Sequence, residues 1–192
     1  MESSAAPLRD AYQPRPPTRA DGARLWSFVD RDGTLDRNSS YAYLLLSEEF
    51  AGTSAIADDR AGELAGFVLG FGPPTRPDAL FVWQVAVAPS HRGRGLATTL
   101  IISILNRDDL DLHYLEATVT PDNKASRRLF QGIAKSLGAP CQVAPHFEEA
   151  DYPHLAPHEP EELFRIGPFD DATPAATILD ATSPARHTDN KE

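Results

Sequence analysis

Residues 80–97 limit most strongly what this chain can fold into. A nearly continuous apolar run, Leu80-Phe81-Val82-Trp83-Gln84-Val85-Ala86-Val87, passes through Ala88-Pro89-Ser90-His91-Arg92-Gly93-Arg94-Gly95 into Leu96-Ala97. Such a run predicts a strand buried on both faces inside a sheet. Leu96, Leu100, Ile101, Ile104 and Leu105 then recur at helical spacing. A buried strand that turns through two glycines into a helix aims the helix's unpaired amides and partial positive charge at the turn, and glycine lets an anion approach without Cβ interference. The turn reads as a phosphate cradle, beside the plainer reading of an ordinary tight strand-to-helix connection.

Elsewhere strand and helix patterns alternate. A helix is expected over residues 18–32, with Thr18 as N-cap and Gly33 as terminator, and a second over 41–50. Runs 53–57 and 63–71 flank the turn 58–62 and read as a hairpin, and Pro73, Pro74 and Pro77 break the chain before the long apolar strand. A strand over 114–120 precedes a helix that starts at Asp122 or Asn123 and runs to about Ser136, and the chain to 168 reads as short strands joined by a long proline-containing loop. The alternation predicts an α/β domain, a mixed sheet with helices on both faces. Its expected extent is residues 13–168, with 1–12 and 169–192 as disordered tails.

A formal charge of -10 argues against nucleic acid, whose phosphates demand clustered Lys and Arg. The same charge favours the approach of a cationic substrate, although it serves solubility equally well. The single cysteine, Cys141, allows no internal disulfide and no Cys-based zinc cluster, and reads as a packing residue rather than a nucleophile. The apolar stretches are too short to cross a bilayer and the N-terminus lacks signal-peptide character, so a cytoplasmic protein without membrane contact is expected.

Arg92-x-x-Gly95-x-Ala97 fits the R/Q-x-x-G-x-G/A pattern of the GNAT acetyltransferase superfamily, and Val85-Ala86-Val87-x-Pro89 before it and Asn123-x-x-Ser126-x-x-Leu129-Phe130 after it also resemble that superfamily. The resemblance implies a GNAT fold, a twisted mixed sheet whose fourth and fifth strands splay apart to admit acetyl-coenzyme A as co-substrate, with no metal. It implies that backbone groups of Val85 and Val87 bond the pantetheine, that amides of Arg92, Gly93, Arg94, Gly95, Leu96 and Ala97 hold the pyrophosphate, and that Asn123 and Ser126 belong to the cofactor side. The amine would attack the thioester directly, through a tetrahedral intermediate whose oxyanion a backbone N–H of the fourth strand stabilises. One departure stands out: many members carry a tyrosine, as general acid for the thiolate, where this chain has Phe130. Either Tyr41 acts through water, or a thiolate with a pKa of about 8.5 leaves unaided. A dinucleotide-dependent oxidoreductase competes for the same glycines, because Glu116 lies about 20 residues beyond Gly95 on a strand. Against it, Thr98 occupies the third glycine position.

Four further segments, at residues 35–45, 81–87, 114–121 and 158–168, resemble the branch of that superfamily that acetylates L-2,4-diaminobutyrate for ectoine biosynthesis, and the similarity covers residues 15–168. It implies acetylation of the 4-amino group, giving N4-acetyl-L-2,4-diaminobutyrate, by a homodimer. The residue types suit a small diamino acid. Asp36, Glu116 and Glu159 offer charge, the Trp83 face offers cation–π attraction, and Asn38, Ser39, Tyr41 and Thr118 offer hydrogen bonds to the carboxylate or the free amine. Plainer roles remain beside these: Asp36, Asn38 and Ser39 as helix caps, Trp83 as core, His158 as a surface residue, Glu161 and Glu162 as solvated positions. Neutralising an ammonium near pH 7 costs on the order of 4 kcal/mol, so a carboxylate or a bound water is needed to take the proton. Alternation on the strand puts Glu116 with Tyr114, Thr118 and Thr120, away from Leu115, Ala117 and Val119; it would be either that base or a partner for the substrate ammonium. A GNAT enzyme for another small diamine and a non-catalytic sensor on the same fold are the remaining alternatives.

Overall fold

The computed structural model describes residues 12–33, 35, 37–154, 156 and 158–169. Helices α1 (Asp21–Asp32) and α2 (Ser40–Glu48) come first. Strands β1 (Ala55–Asp58), β2 (Leu64–Phe71) and β3 (Ala79–Val87) follow, then α3 (Leu96–Leu105), β4 (Tyr114–Val119), α4 (Lys124–Leu137), β5 (Cys141–Phe147) and β6 (Glu161–Ile166). Gly33 ends α1 at φ 64, as its sequence position predicts. Thr18 does not cap that helix. Asp21 is pinned by Arg15 and Arg24, and its carboxylate accepts from the Thr18 amide and hydroxyl, both at 2.9 Å, which reverses the expected capping relation.

The strands form one six-stranded sheet in the order β1-β2-β3-β4-β6-β5, antiparallel except for β3 and β4. Both faces are covered. On one, Leu100, Ile101 and Ile104 of α3 and Phe130 and Ile133 of α4 pack against Leu80, Val82, Leu115, Ala117, Val119 and Phe164. On the other, Leu25, Phe28 and Val29 of α1 and Tyr43 and Leu46 of α2 pack against Ile56, Phe67, Leu69 and Ala86. Burying a side chain of this size contributes roughly 1.5–3 kcal/mol, so these two apolar layers hold the sheet between the helix pairs.

Two irregularities prepare the site. Strands β3 and β4 pair only at Ala79↔Tyr114, Leu80↔Leu115 and Phe81↔Glu116, after which β4 follows β6 and β3 loses its neighbour on that side. The expected splay is therefore present, between the third and fourth described strands rather than the fourth and fifth. The count is shifted because among the described residues the only pairing ahead of β1 is the isolated bridge Arg15↔Ile56. The second irregularity is a bulge: Leu69 pairs with Gln84 but Gly70 with Val82, so Trp83 is an extra residue. Gly70 has no side chain because a Cβ there would lie 2.7 Å from the Phe81 carbonyl.

Residues 1–11 and 170–192 lie outside the described residues. At the two boundaries given to the tails, Tyr12 is buried and Phe169 packs on the core. No helix among the described residues is long and apolar enough to cross a membrane.

Candidate active site

The cofactor side is built from the ends of β3 and α3. Ala88 N–H donates to Ala65 O at 2.8 Å, so the alternation of an antiparallel ladder turns Ala86 and Gln84 toward β2 and directs the N–H and C=O of Val85 and Val87 at the opening left by β4. Gly93 and Gly95 adopt φ 73 and φ 77, a left-handed conformation that side-chain-bearing residues disfavour. The first helical bond of α3 joins Thr99 N–H to Gly95 O at 3.0 Å. Among the described residues no protein acceptor takes the amides of Gly93, Arg94, Gly95, Leu96, Ala97 or Thr98. Arg94 is exposed beside them and Leu96 is buried, anchoring the helix start. Consecutive unbonded donors at a helix N-terminus, flanked by guanidinium groups, suit a diphosphate.

Arg92 is set differently from the rest of this loop. Its amide closes a turn on Pro89 O at 3.4 Å, Nε donates to Val87 O at 2.8 Å, and the outer guanidinium pairs with Asp32 at 2.8 Å. It ties the end of α1 to the strand that faces the opening. Asn123 accepts from the Ser126 amide at 3.0 Å and so caps α4. Phe130, 2% exposed, lies in the core with its ring 6.1 Å from that of Phe164, so this position presents no hydroxyl.

The residues expected to hold the acceptor lie toward the α1/α2 face. Because of the bulge, the consecutive residues Trp83 and Gln84 both turn to this face, Trp83 beside Tyr43 (ring centroids 6.2 Å apart) and Gln84 accepting from the Tyr43 hydroxyl at 3.1 Å. Ser39 caps α2, accepting from the Ala42 amide at 3.3 Å, and Asn38 next to it is half-buried. Tyr41, in the first turn of α2, is 69% exposed. Asp36 lies outside the described residues. Thr118 is half-buried on β4, and on that strand the sheet divides as the alternation predicts, with Leu115, Ala117 and Val119 in the α3/α4 core.

Glu116 is fully buried on the other face, but it is not open. Arg76 reaches its two oxygens through Nε at 2.9 and 3.2 Å, and Arg165 donates to Oε1 from β6. With both oxygens occupied by guanidinium donors, the carboxylate is presented as an ion-pair partner rather than a vacant proton acceptor. Glu159 is similarly engaged. It shares a hydrogen bond with Asp122, which pushes its pKa up, while the Thr120 hydroxyl, 2.7 Å away, together with that bond holds Asp122 down. His158 stacks on Tyr152 at 4.7 Å, donates from Nδ1 to Glu159 O at 2.8 Å, and approaches Glu161 at 3.8 Å. Glu161 and Glu162 are half-buried rather than solvated, Glu162 because Arg127 of α4 pairs with it.

The structure thus gathers the cofactor loop, the open edge of β3, Trp83, Thr118 and Glu116 around the splay, and sets Asn38, Ser39 and Tyr41 at the start of α2. Sequence reasoning passed over Gln84, Arg76 and Arg165. Gln84 carried a signal, as the one polar residue in the apolar run 80–87. No group of His, Cys, Asp and Glu among the described residues is placed to hold a metal ion.

Known proteins resemble this chain in sequence and in fold. Residues 8–133 match the model of the acetyltransferase (GNAT) family. L-2,4-diaminobutyric acid acetyltransferase of Virgibacillus pantothenticus is 43% identical over 154 residues, 80% of this chain and 96% of that protein. Its counterpart from Streptomyces coelicolor is 47% identical over 155 residues, 80% of this chain and 91% of that protein. Among solved structures, diaminobutyrate acetyltransferase EctA from Paenibacillus lautus, in complex with L-2,4-diaminobutyric acid and coenzyme A, superposes with a TM-score of 0.78 at 40% identity, over 83% of this chain and 96% of that one.

Proposed function

The chain belongs to the GNAT acetyltransferase family, and from that premise we propose that it transfers acetyl from acetyl-coenzyme A to the 4-amino group of L-2,4-diaminobutyrate. The observation that carries this reading is the joining of the two sides across one splay. Unbonded amides from Gly93 to Thr98 suit a diphosphate, the N–H and C=O of Val85 and Val87 face the opening, and Trp83 and Thr118 mark the acceptor face beside it. The 40–47% identities to diaminobutyric acid acetyltransferases support the substrate. The family match sets aside the dinucleotide reading of the same glycines, and Glu116, on whose spacing that reading relied, is enclosed by two arginines.

In this account the loop amides and Arg94 hold the diphosphate, and the edge of β3 aligns the pantetheine as an added strand would lie. Arg92 swings from Val87 O as the carbonyl takes that new partner. Trp83 offers its ring to the substrate's cationic end, while Asp36, Asn38, Ser39, Tyr41 and Thr118 supply polar contacts. The 4-ammonium gives its proton to a bound water and the free amine attacks the acetyl carbonyl, with a β3 amide stabilising the oxyanion; the C–S bond then breaks, and the departing coenzyme A thiolate, with no tyrosine at position 130, takes up the proton that the new amide sheds. Glu116 anchors Arg76 and Arg165 and is not the base. Three finer elements belong to the same reading on the strength of the family resemblance: the protein works as a homodimer, in the cytoplasm, in ectoine biosynthesis.

Thiol release from acetyl-coenzyme A tests the activity, measured against a panel of 2,4-diaminobutyrate, ornithine, lysine and polyamines. The highest kcat/KM is expected for 2,4-diaminobutyrate. A higher value for another amine transfers the reading to that substrate, and coenzyme A binding without thiol release replaces the enzyme by a sensor.

A further inference from the structure

We propose that Arg76 and Arg165, held by Glu116, form the subsite for the α-carboxylate of the amino-acid substrate and so select diamino acids over simple diamines. The inference rests on the acetyl transfer proposed above and adds residues to its acceptor site.

A fully buried carboxylate must be paired, and one guanidinium would suffice to neutralise it. Here two converge on Glu116, Arg76 from the loop before β3 and Arg165 from β6, leaving one positive charge in excess in a chain whose formal charge is -10. Neither arginine is enclosed: their side chains are 38% and 27% exposed, against 0% for Glu116. A guanidinium has five N–H donors. Arg165 spends only its NH1 group on Glu116, and Arg76 spends Nε there with a 3.4 Å contact from NH1 to the Thr75 hydroxyl. The remaining donors meet no protein acceptor among the described residues. Arg165 also lies over the Tyr114 ring, with 3.7 Å from its guanidinium carbon to the centroid, which restrains it.

Position and size agree. Glu116 and its neighbour Arg165 stand at the last rung joining β3 to β4, at the floor of the splay. Thr118 faces the same side one pleat further along β4, a step of about 6.6 Å. In an extended 2,4-diaminobutyrate the carboxylate carbon and the 4-nitrogen are about 5 Å apart, from ordinary bond lengths. A substrate whose carboxylate rests on the two arginines therefore brings its 4-amine close to the level of Thr118 and Trp83, where the splay opens toward the thioester. The ammonium of the same molecule cannot take that place, because it would meet guanidinium donors.

The test pairs three enzymes with two substrates. Wild type, Arg76→Gln and Arg165→Gln are compared on L-2,4-diaminobutyrate and on 1,3-diaminopropane, the same diamine without the carboxylate; where turnover of the latter is too slow, its Ki replaces kcat/KM. The wild-type preference for the diamino acid is expected to fall by about tenfold in each variant, mainly through KM, as for the loss of one charge-assisted hydrogen bond. An equal loss on both substrates makes the arginines structural and overturns the proposal, as does an unchanged preference. Circular dichroism checks folding. If Arg165→Gln, on a sheet strand, does not fold, Arg76→Gln, on a loop, carries the decision. A wild-type enzyme inactive on 2,4-diaminobutyrate defeats the acetyl-transfer reading itself, which is visible before any variant is assayed.

Discussion

Gly93→Ala separates the cofactor loop from the rest of the site. Gly93 has φ 73 and nothing within 4 Å of where a Cβ would stand, so the substitution causes no collision and acts through the backbone alone. An alanine held in the left-handed region costs roughly 1–2 kcal/mol. If the loop keeps its shape, that strain appears as lost stability, a fall in Tm of about 2–8 °C for a chain of this size. If the loop relaxes to negative φ instead, Tm is preserved but the Gly93 and Arg94 amides turn away from the diphosphate. The same free energy then appears as a rise of roughly fivefold to thirtyfold in KM for acetyl-coenzyme A. Either way kcat and KM for the diamino acid stay within about twofold, because the acceptor residues lie on the opposite face of the sheet. Asparagine tolerates this conformation better, so Gly93→Asn should fall between alanine and wild type. Thermal unfolding and steady-state kinetics with each substrate varied in turn make the measurement. A drop in kcat with Tm and the cofactor KM both unchanged would refute the assignment of these amides to the diphosphate.

Glu116→Gln should raise KM for the diamino acid while leaving the shape of the kcat–pH profile intact; loss of the acidic limb with a fall of about 10²–10⁴ in kcat would instead restore Glu116 as the base. Burial would raise the Asp21 pKa, but hydrogen bonds from Arg15, Thr18 and Arg24 outweigh it and hold this carboxylate far below its ordinary range. The stability it adds is fully present above the unfolded value of about 3.9 and is lost as pH falls below that. Asp21→Asn should therefore be less stable than wild type at pH 6 in urea unfolding, with the difference shrinking as the pH is lowered through the acid range. Arg107 donates to the carbonyls of Ala51, Gly52 and Ser54, fastening the end of α3 to the turn before β1. Arg107→Leu should cost about 2–4 kcal/mol in the same assay, since it removes a charged donor from three acceptors; a loss below about 1 kcal/mol would show that water replaces it.

What the sequence made legible was local. The turn from β3 into α3 could be read because two glycines at fixed spacing, a buried strand and a helix start are contiguous, and their chemistry depends on backbone that the neighbouring residues set. The face on which Glu116 lies followed from strand alternation, as Leu115, Ala117 and Val119 in the opposite core demonstrate. Its partners did not follow. Arg76 and Arg165 are 40 and 49 residues away in sequence, and only the register of β4 against β3 and β6 brings them together. The bulge at Trp83 was equally hidden, because it arises from the pairing of β3 with β2 rather than from β3 itself. Without it, period-two alternation puts Trp83 and Gln84 on opposite faces, so the Tyr43–Gln84 hydrogen bond could not be foreseen. Thr18 looked like a cap until Arg15 and Arg24 fixed Asp21 beside it.

The central claim is that one splayed sheet delivers a thioester to the 4-amine of a diamino acid. The most direct measurement is product analysis by NMR after incubation with acetyl-coenzyme A carrying a labelled carbonyl and L-2,4-diaminobutyrate. The account predicts a coupling from the labelled amide carbonyl to the C4 methylene protons, with stoichiometric release of free coenzyme A. Coupling to the C2 proton, or label that stays in acetyl-coenzyme A while the protein binds both molecules, would contradict it.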